Sequence, residues 1–197
     1  MKKRNASDIV EILRAGGEID DETRNWVLEK LKSPDEDADI YDLMRALALS
    51  CPPTLENVGI VEKYLNYETD DWLIKGAIYA LCNYWALTGD YLHFLMSLTD
   101  IDKWEYFSDA SIAAISTLGI YANEKNDIDI RRHLIERYFS NCKDGCEREV
   151  YCDCILSALE VSVYGRSLRL LSRSIREKSD DEKVIADVIK LTGYQFN

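Results

Sequence analysis

Apolar residues recur at helical spacing along almost the whole chain, and this pattern constrains the fold more than any other feature. Val58, Val61 and Leu65, for example, fall on one face of a helix. All three prolines lie at or before residue 53, so no proline interrupts a helix beyond that point. Strand-type alternation is missing, and the Asp144-Gly145 pair lies between predicted helices. The sequence therefore predicts an all-α protein.

Capping and turn residues divide the chain into about ten or eleven helices. Thr54 and Ser108 are typical N-caps, as are Asp70 or Asp71 for the fifth helix and Asp127 or Asp129 for the eighth. The predicted helices cover residues 9–15, 23–31, 39–50, 54–65, 71–87, 91–98, 109–121, 128–139, 147–164, 167–177 and 181–191. Because the connections are short, we expect sequential helices to be antiparallel neighbours.

A loose repeat runs through these helices. Five of them contain a segment that ends on a leucine (41–49, 72–81, 109–118, 150–159 and 184–191), and these leucines are spaced by 32, 37, 41 and 32 residues. A shorter helix follows each of the first four, and two helices in such a period are typical of an α-solenoid. Over roughly residues 38–191 the chain resembles HEAT-like repeat proteins. The resemblance implies antiparallel pairs stacked as a short solenoid, a single domain over residues 1–197. A globular helical bundle is the alternative.

The net charge of −12 is concentrated in one stretch of the chain. Residues 33–110 contain fifteen acidic and only four basic side chains, whereas the segments on either side are nearly neutral. Such a field repels nucleic acid and attracts a basic protein. Tryptophan and tyrosine are interleaved with the acids, and this composition is typical of protein interfaces. The predicted partner-binding residues are Asp35, Asp37, Asp39, Glu68, Asp70, Asp71, Trp72, Asp100, Asp102, Trp104, Glu105 and Tyr106.

Two other interpretations of these acids are open. They can serve only as helix N-caps and dipole partners on a solvated face, which explains single residues such as Asp70. Capping does not, however, require that lysine be omitted elsewhere in the stretch. Asp35, Asp37 and Asp39 alternate as calcium ligands do, but the glycine and terminal glutamate of an EF-hand loop are missing. We therefore expect no metal.

Arginines form a second candidate surface near the carboxyl end of the chain. Four of them, spaced to share one face of a helix, are a possible anion-binding stripe: Arg166, Arg169, Arg173 and Arg176. Three more lie on the equivalent helix of the preceding pair, at Arg131, Arg132 and Arg137. By family resemblance, some HEAT-like DNA glycosylases hold DNA with such helices. A solvated outer face is the alternative.

The cysteines and the first residues of the chain provide clues to the cellular compartment of the protein. Four cysteines are close together, at Cys142, Cys146, Cys152 and Cys154, in a spacing that fits no usual zinc site. Small buried thiols and a structural zinc are the two alternatives. The basic start at Lys2 to Arg4 precedes polar residues instead of an apolar run, so we expect no export, a cytoplasmic location and reduced cysteines.

Catalytic and membrane-spanning signatures are missing from the sequence. It contains two histidines, no zinc-protease, nucleophile-elbow or phosphate-loop motif, and no stretch of roughly 18 apolar residues. We therefore expect a protein-binding module without enzymatic activity or cofactor. The sharper hypothesis is a bacterial immunity protein that neutralises a basic, nuclease-type toxin, since all-α folds occur among such families. The alternatives are a HEAT-like adaptor or regulatory scaffold and, less favoured, a nucleic-acid binder that uses the arginine stripe.

Overall fold

The computed structural model describes residues 5–66, 70–100, 108–141, 149–165 and 178–195. All regular secondary structure within these ranges is helical, which confirms the all-α prediction. The α-helices are α1 (Ala6–Arg14), α2 (Asp21–Lys32), α3 (Ile40–Ser50), α4 (Leu55–Glu62), α5 (Asp71–Ile78), α6 (Leu92–Leu98), α7 (Asp109–Glu124), α8 (Ile128–Asn141), α9 (Glu149–Tyr164) and α10 (Lys178–Thr192). The predicted helix 167–177 lies outside the described residues.

The predicted N-caps set most of the helix starts. Thr54 Oγ1 accepts a hydrogen bond from the Asn57 amide at 3.2 Å, and Ser108 caps α7 in the same way. Of the two candidates for α8, Asp127 is the cap, because its Oδ1 accepts from two successive amides at 3.0 Å. The start of α2 was predicted too late, since Asp20 caps it by accepting from the Thr23 amide at 2.7 Å.

The fifth helix differs from the prediction of one continuous helix to residue 87. It ends as an α-helix at Ile78 and continues as a π-helix over Tyr79–Tyr84. Ala86 then has φ of 56°, a left-handed conformation that ends the helical path. The Trp85 indole donates to the Cys51 carbonyl at 2.9 Å, so this irregular end is tied to the end of α3. The final helix also begins earlier than predicted.

Two compact units make up the chain, Met1–Asp90 and Tyr91–Asn197. In the first unit α3 packs against α1, α2 and α5 and is the central helix. Its core contains completely buried aliphatic side chains from four helices: Leu31, Leu47, Val61 and Ile74. Burial of such side chains supplies most of the stabilising free energy.

The second unit is organised around the long helices α7 and α9, which pack along each other. Gly119 permits this approach, because a Cβ at that position would lie 2.6 Å from the Ala158 carbonyl oxygen. Helices α8 and α10 pack against α9, and α6 packs against α7. In the part of the chain that the structure describes, no helix is long and apolar enough to cross a membrane. The single domain and the solenoid arrangement stay predictions.

Candidate functional site

One open groove in the first unit brings together three of the predicted partner-binding residues. It has a volume of about 420 Å³ and is bordered by the residues at the N-terminal ends of α3 and α5. We call it the α3/α5 groove, and it is lined by Ala38, Asp39, Ile40, Tyr41, Asp70, Trp72 and Leu73. Its lining is thus mostly apolar and aromatic, with two carboxylates.

Both carboxylates of the groove are helix N-caps. Asp39 Oδ1 accepts from the Asp42 amide at 3.0 Å, and Asp70 Oδ1 accepts from the Trp72 amide at 2.8 Å. These two residues are therefore helix N-caps, as the sequence suggested for Asp70. Each cap uses one oxygen, both side chains are exposed, and among the described residues neither carboxylate makes a second hydrogen bond. Capping fixes their position and leaves an acceptor on each for another donor.

An aromatic pair forms the wall beside these carboxylates. The rings of Tyr41 and Trp72 stack with centroids 4.6 Å apart and an angle of 29° between their planes. Trp72 is 44% exposed, which is high for so large an apolar side chain. The Lys75 ammonium lies 4.2 Å from the centroid of the Trp72 ring, within the range of a cation–π interaction.

The tyrosine of this pair is held in place by Arg45. The Arg45 guanidinium lies 5.2 Å from the Tyr41 ring centroid and donates to Asp42 Oδ1 at 2.6 Å. It also hydrogen-bonds the Tyr84 hydroxyl, to which Arg14 donates at 3.3 Å. Burial acts to raise the pKa of Tyr84, but the hydrogen bonds and positive charges of Arg45 and Arg14 together outweigh it, and the pKa is lowered. Residues of α1, α3 and the π-helix thus hold the Tyr41 ring of the aromatic pair in position.

The other predicted partner-binding residues are distributed differently. Asp35 forms an ion pair with Lys30, Asp37 is exposed in the turn before α3, and Asp71 is half-buried in the first turn of α5. Five predicted residues lie outside the described residues: Glu68, Asp102, Trp104, Glu105 and Tyr106.

Asp100 belongs to a polar cluster in the second unit that sequence reasoning missed. It pairs with Arg137 at 3.5 Å, while the His133 ring nitrogen Nε2 lies 2.8 Å from Thr99 Oγ1. The buried Tyr151 hydroxyl donates to the Thr99 carbonyl at 2.7 Å. Burial, with a contribution from Arg137, lowers the pKa of His133 to about 4, and Asp100 opposes that shift. The polar side chains of this cluster thus form their ion pair and hydrogen bonds within the second unit.

The predicted positive patch on α8 is wrong for Arg131, whose exposed fraction is only 4%. Its guanidinium donates twice to the Ser162 carbonyl, at 2.7 and 3.1 Å, and once to Asn126 Oδ1 at 2.7 Å. Arg132 likewise donates to the Thr192 carbonyl at 3.1 Å. The physical reason is that the last carbonyls of α9 and α10 have no partner within their own helices and require donors. The predicted stripe Arg166, Arg169, Arg173 and Arg176 lies outside the described residues.

The state of the cysteines differs from the prediction that all of them are reduced. Cys152 is in a disulfide whose partner lies outside the described residues, so the prediction of reduced cysteines is wrong there. A cysteine in a disulfide cannot ligate zinc as a thiolate. Cys51, Cys82 and Cys154 do not form disulfides, and burial raises the pKa of the Cys82 thiol to about 12. Within the described ranges, no group of three or more histidine, cysteine or acidic side chains is placed to hold a metal ion.

Comparison with protein-family models, curated proteins and solved structures finds no match to this chain. Carboxylate oxygens and aromatic ring faces both attract cations. The groove is thus suited to bind a positively charged group in a partly apolar setting.

Proposed function

We propose that this chain is a protein-binding module that takes a basic partner into the α3/α5 groove. The observation that carries the proposal is the meeting of Asp39, Asp70 and the exposed Trp72 in one groove. Partly desolvated tryptophan and tyrosine side chains supply much of the affinity at protein interfaces. The acidic excess of residues 33–110 adds a long-range attraction that speeds association with a basic partner.

The sharper form of the proposal is an immunity protein that neutralises a cognate bacterial toxin of the nuclease type. Nucleases carry positive charge because they bind nucleic acid, and an acidic inhibitor complements that charge. Rapid encounter matters for an inhibitor, since the toxin must be bound before it acts. This role would place the chain in the cytoplasm of the cell that it protects.

For the scaffold we propose the HEAT-like solenoid of stacked helix pairs. In the predicted repeat, the first helices of successive pairs are α3, α5, α7, α9 and α10. The packing of α3 on α5 in the first unit, and of α7 on α9 and α9 on α10 in the second, supports this proposal. Each repeat of a solenoid buries its apolar face against the next repeat.

Capture of the partner tests the proposed function. The tagged full-length chain is incubated with lysate of its native host, washed at moderate salt, and the bound material is identified by mass spectrometry. We expect one basic protein in equimolar amount, whose toxic activity is abolished when the chain is added at a one-to-one ratio. Recovery of nucleic acid, or of several subunits of one large complex, would contradict the proposal.

A matched pair of variants connects the captured protein with the groove. Trp72→Ala removes the aromatic wall, and we expect at least about a tenfold loss of affinity for the captured protein. Leu55→Ala removes an apolar side chain that is 95% exposed in the same unit but outside the groove, and it should leave the affinity unchanged. Equal effects of the two variants would place the interface elsewhere.

A further inference from the structure

We propose that Arg14, Arg45 and Tyr84 form a binding site for a single phosphate monoester group. The three side chains come from α1, α3 and the π-helix of the first unit, and they meet at the hydroxyl oxygen of Tyr84. None of them lines the α3/α5 groove, so the inference concerns a second site and does not depend on the proposed function.

Two guanidinium groups converge on one oxygen atom. Arg14 Nη2 donates to the Tyr84 hydroxyl oxygen at 3.3 Å, and the Arg45 guanidinium hydrogen-bonds the same oxygen. Two positive charges at this separation repel each other, and an uncharged hydroxyl does not neutralise them. Among the described residues, the only carboxylate paired with either arginine is Asp42, which accepts from Arg45 at 2.6 Å. Within the described ranges, Arg14 therefore has no negative counterpart.

The hydrogen-bond donors at this point are only partly used. Tyr84 accepts from both arginines, and no acceptor among the described residues takes the proton of its own hydroxyl. Arg14 is exposed and uses one of its five N–H donors in this contact. An anion beside the half-buried Tyr84 can therefore accept the hydroxyl proton and N–H groups of Arg14 at the same time.

The backbone that places Tyr84 is unusual. This residue ends the π-helix Tyr79–Tyr84, and π-helical turns are rare but frequent at functional sites. Two residues later, Ala86 has φ of 56°, a left-handed conformation that costs free energy for a residue other than glycine. The hydrogen bond from the Trp85 indole to the Cys51 carbonyl holds the segment in this path. The fold thus retains a strained segment that brings a hydroxyl between two arginines.

A phosphate monoester fits these donors better than a carboxylate does. Arg14 and Arg45 belong to different helices, and Arg45 is fixed by its ion pair with Asp42 and its position on the Tyr41 ring. Donors that arrive from several directions suit a phosphate, whose three terminal oxygens are arranged tetrahedrally. The two oxygens of a carboxylate lie in one plane and match the fork of a single guanidinium. A phosphate monoester also carries a charge of about −1.5 to −2 at pH 7, which complements two guanidinium groups.

The acidity of the chain limits the ligand to one phosphate group. Residues 33–110 contain fifteen acidic and four basic side chains, and such a field repels a polyanion such as nucleic acid. For one phosphate, repulsion by carboxylates farther away than about 8 Å is largely screened at physiological salt. The ligand is therefore a small phosphate compound or one phosphorylated side chain, which share this chemistry.

The test uses NMR of the full-length chain at pH 7.5, observed through the ring resonances of Tyr84, which are assigned with Tyr84→Phe. Inorganic phosphate and acetate are titrated separately at constant ionic strength. We expect phosphate to shift the Tyr84 resonances with at least about fivefold higher affinity than acetate. Resonances that do not shift with phosphate, or equal binding of acetate, would overturn the inference.

A third titration distinguishes the two sources of the phosphate. It uses a short neutral peptide with one phosphoserine, together with the same peptide without the phosphate, which should not shift the Tyr84 resonances. Tighter binding of the phosphopeptide than of inorganic phosphate assigns the ligand to a phosphorylated side chain. Equal or weaker binding assigns it to a small phosphate compound. A shift of the same size with the unphosphorylated peptide would contradict the proposal.

Variants of Arg14 separate the site from the general charge of the chain. Arg14→Gln removes one guanidinium at an exposed position, and we expect at least about a tenfold loss of affinity for inorganic phosphate. Arg14→Lys keeps the charge but loses the fork of donors, so its loss should be smaller, about threefold. The control Lys32→Gln removes the same charge from another exposed side chain of the unit and should have at most about a twofold effect. Equal effects of Arg14→Gln and Lys32→Gln, with circular dichroism showing both variants folded, would refute the site.

Discussion

The α3/α5 groove of the first unit and the cluster around Asp100 in the second unit place their acidic and aromatic residues in opposite ways. In the first, Asp39 and Asp70 border an open groove in which Trp72 is 44% exposed. In the second, Asp100 is paired with Arg137 beside a cluster in which Tyr151 is only 1% exposed. Both regions contain acids near aromatic rings, but each groove carboxylate is exposed and keeps one oxygen outside its cap bond, whereas Asp100 is paired within its cluster.

The difference between the two regions comes from whether an arginine of the same unit pairs with the carboxylate. Helix α8 supplies Arg137 to Asp100, so that carboxylate is satisfied internally. The groove carboxylates instead accept from backbone amides of their own helices, which uses one oxygen of each. Polar groups of the second unit should therefore contribute to stability, and those of the groove to binding.

The largest effect on stability should come from Arg131. Arg131→Met removes both guanidinium hydrogen bonds to the Ser162 carbonyl, which keeps only the Asn123 side-chain amide at 3.3 Å, and the bond to the exposed Asn126, at a cost of about 3 kcal/mol in the free energy of unfolding. Urea denaturation followed by circular dichroism measures this change. Arg132→Met, at a half-exposed position, is the control and should cost less than about 1 kcal/mol. Equal losses would mean that burial of Arg131 does not matter.

The pH dependence of stability should report His133. Its pKa is lowered to about 4 in the folded state, while the unfolded chain titrates near about 6.5, so the unfolded state binds the proton first as the pH falls. The stability contribution is complete above pH ~6.5 and is lost between about 6.5 and 4. After a discount for partial exposure, the loss is on the order of 2 kcal/mol.

His133→Gln provides the control for this effect, because glutamine keeps a donor toward Thr99 Oγ1 but does not titrate. Denaturation curves at a series of pH values should therefore show a weaker dependence in the variant between about pH 6.5 and 4. A variant with the same pH profile as the parent chain would assign the dependence to other groups.

The buried tyrosine should have a smaller effect. Tyr151→Phe removes the hydroxyl that donates to the Thr99 carbonyl, with a loss of about 1.5 kcal/mol in unfolding free energy. Tyr164→Phe removes a hydroxyl from an exposed ring and should cost less than half as much. A neutral Tyr151→Phe variant would show that the second unit does not depend on this hydrogen bond.

The smallest stability effect is expected in the groove itself. Asp39→Ala removes an N-cap and should cost about 1 kcal/mol, whereas Asp39→Asn keeps the cap and should cost only a few tenths. Thermal denaturation of the two variants compares them directly. If Asp39→Asn destabilised the chain as strongly as Asp39→Ala, the charge would be structural, and the contrast between the two units would disappear.

The sequence predicts the local features of the fold well. Helices and most of their caps follow from apolar spacing and from residues such as Thr54, Ser108 and Asp127, since capping involves neighbours within three positions. Asp39, Asp70 and Trp72 could be selected because acids and aromatics are interleaved there. Local rules do not predict the π-helix at Tyr79–Tyr84.

The pairings over long sequence distance could not be predicted. Tyr41 stacks on Trp72 from another helix, and Arg137 reaches Asp100 across a segment of more than thirty residues. Arginine is usually exposed, so the sequence indicated a surface position for Arg131. It is buried because its guanidinium donates to the Ser162 carbonyl at the end of α9. Each of these depends on helix packing that one sequence without tertiary information does not specify.

The most direct test of the central claim is the affinity of the groove variant for the captured basic partner, measured by isothermal titration calorimetry. The variant Asp39→Asn with Asp70→Asn keeps both helix caps, so its midpoint of thermal unfolding should stay close to that of the parent chain. We predict at least about a tenfold loss of affinity, with the control Asp21→Asn and Asp90→Asn nearly unchanged. Unchanged affinity of the groove variant would contradict the account and leave Asp39 and Asp70 as helix caps alone.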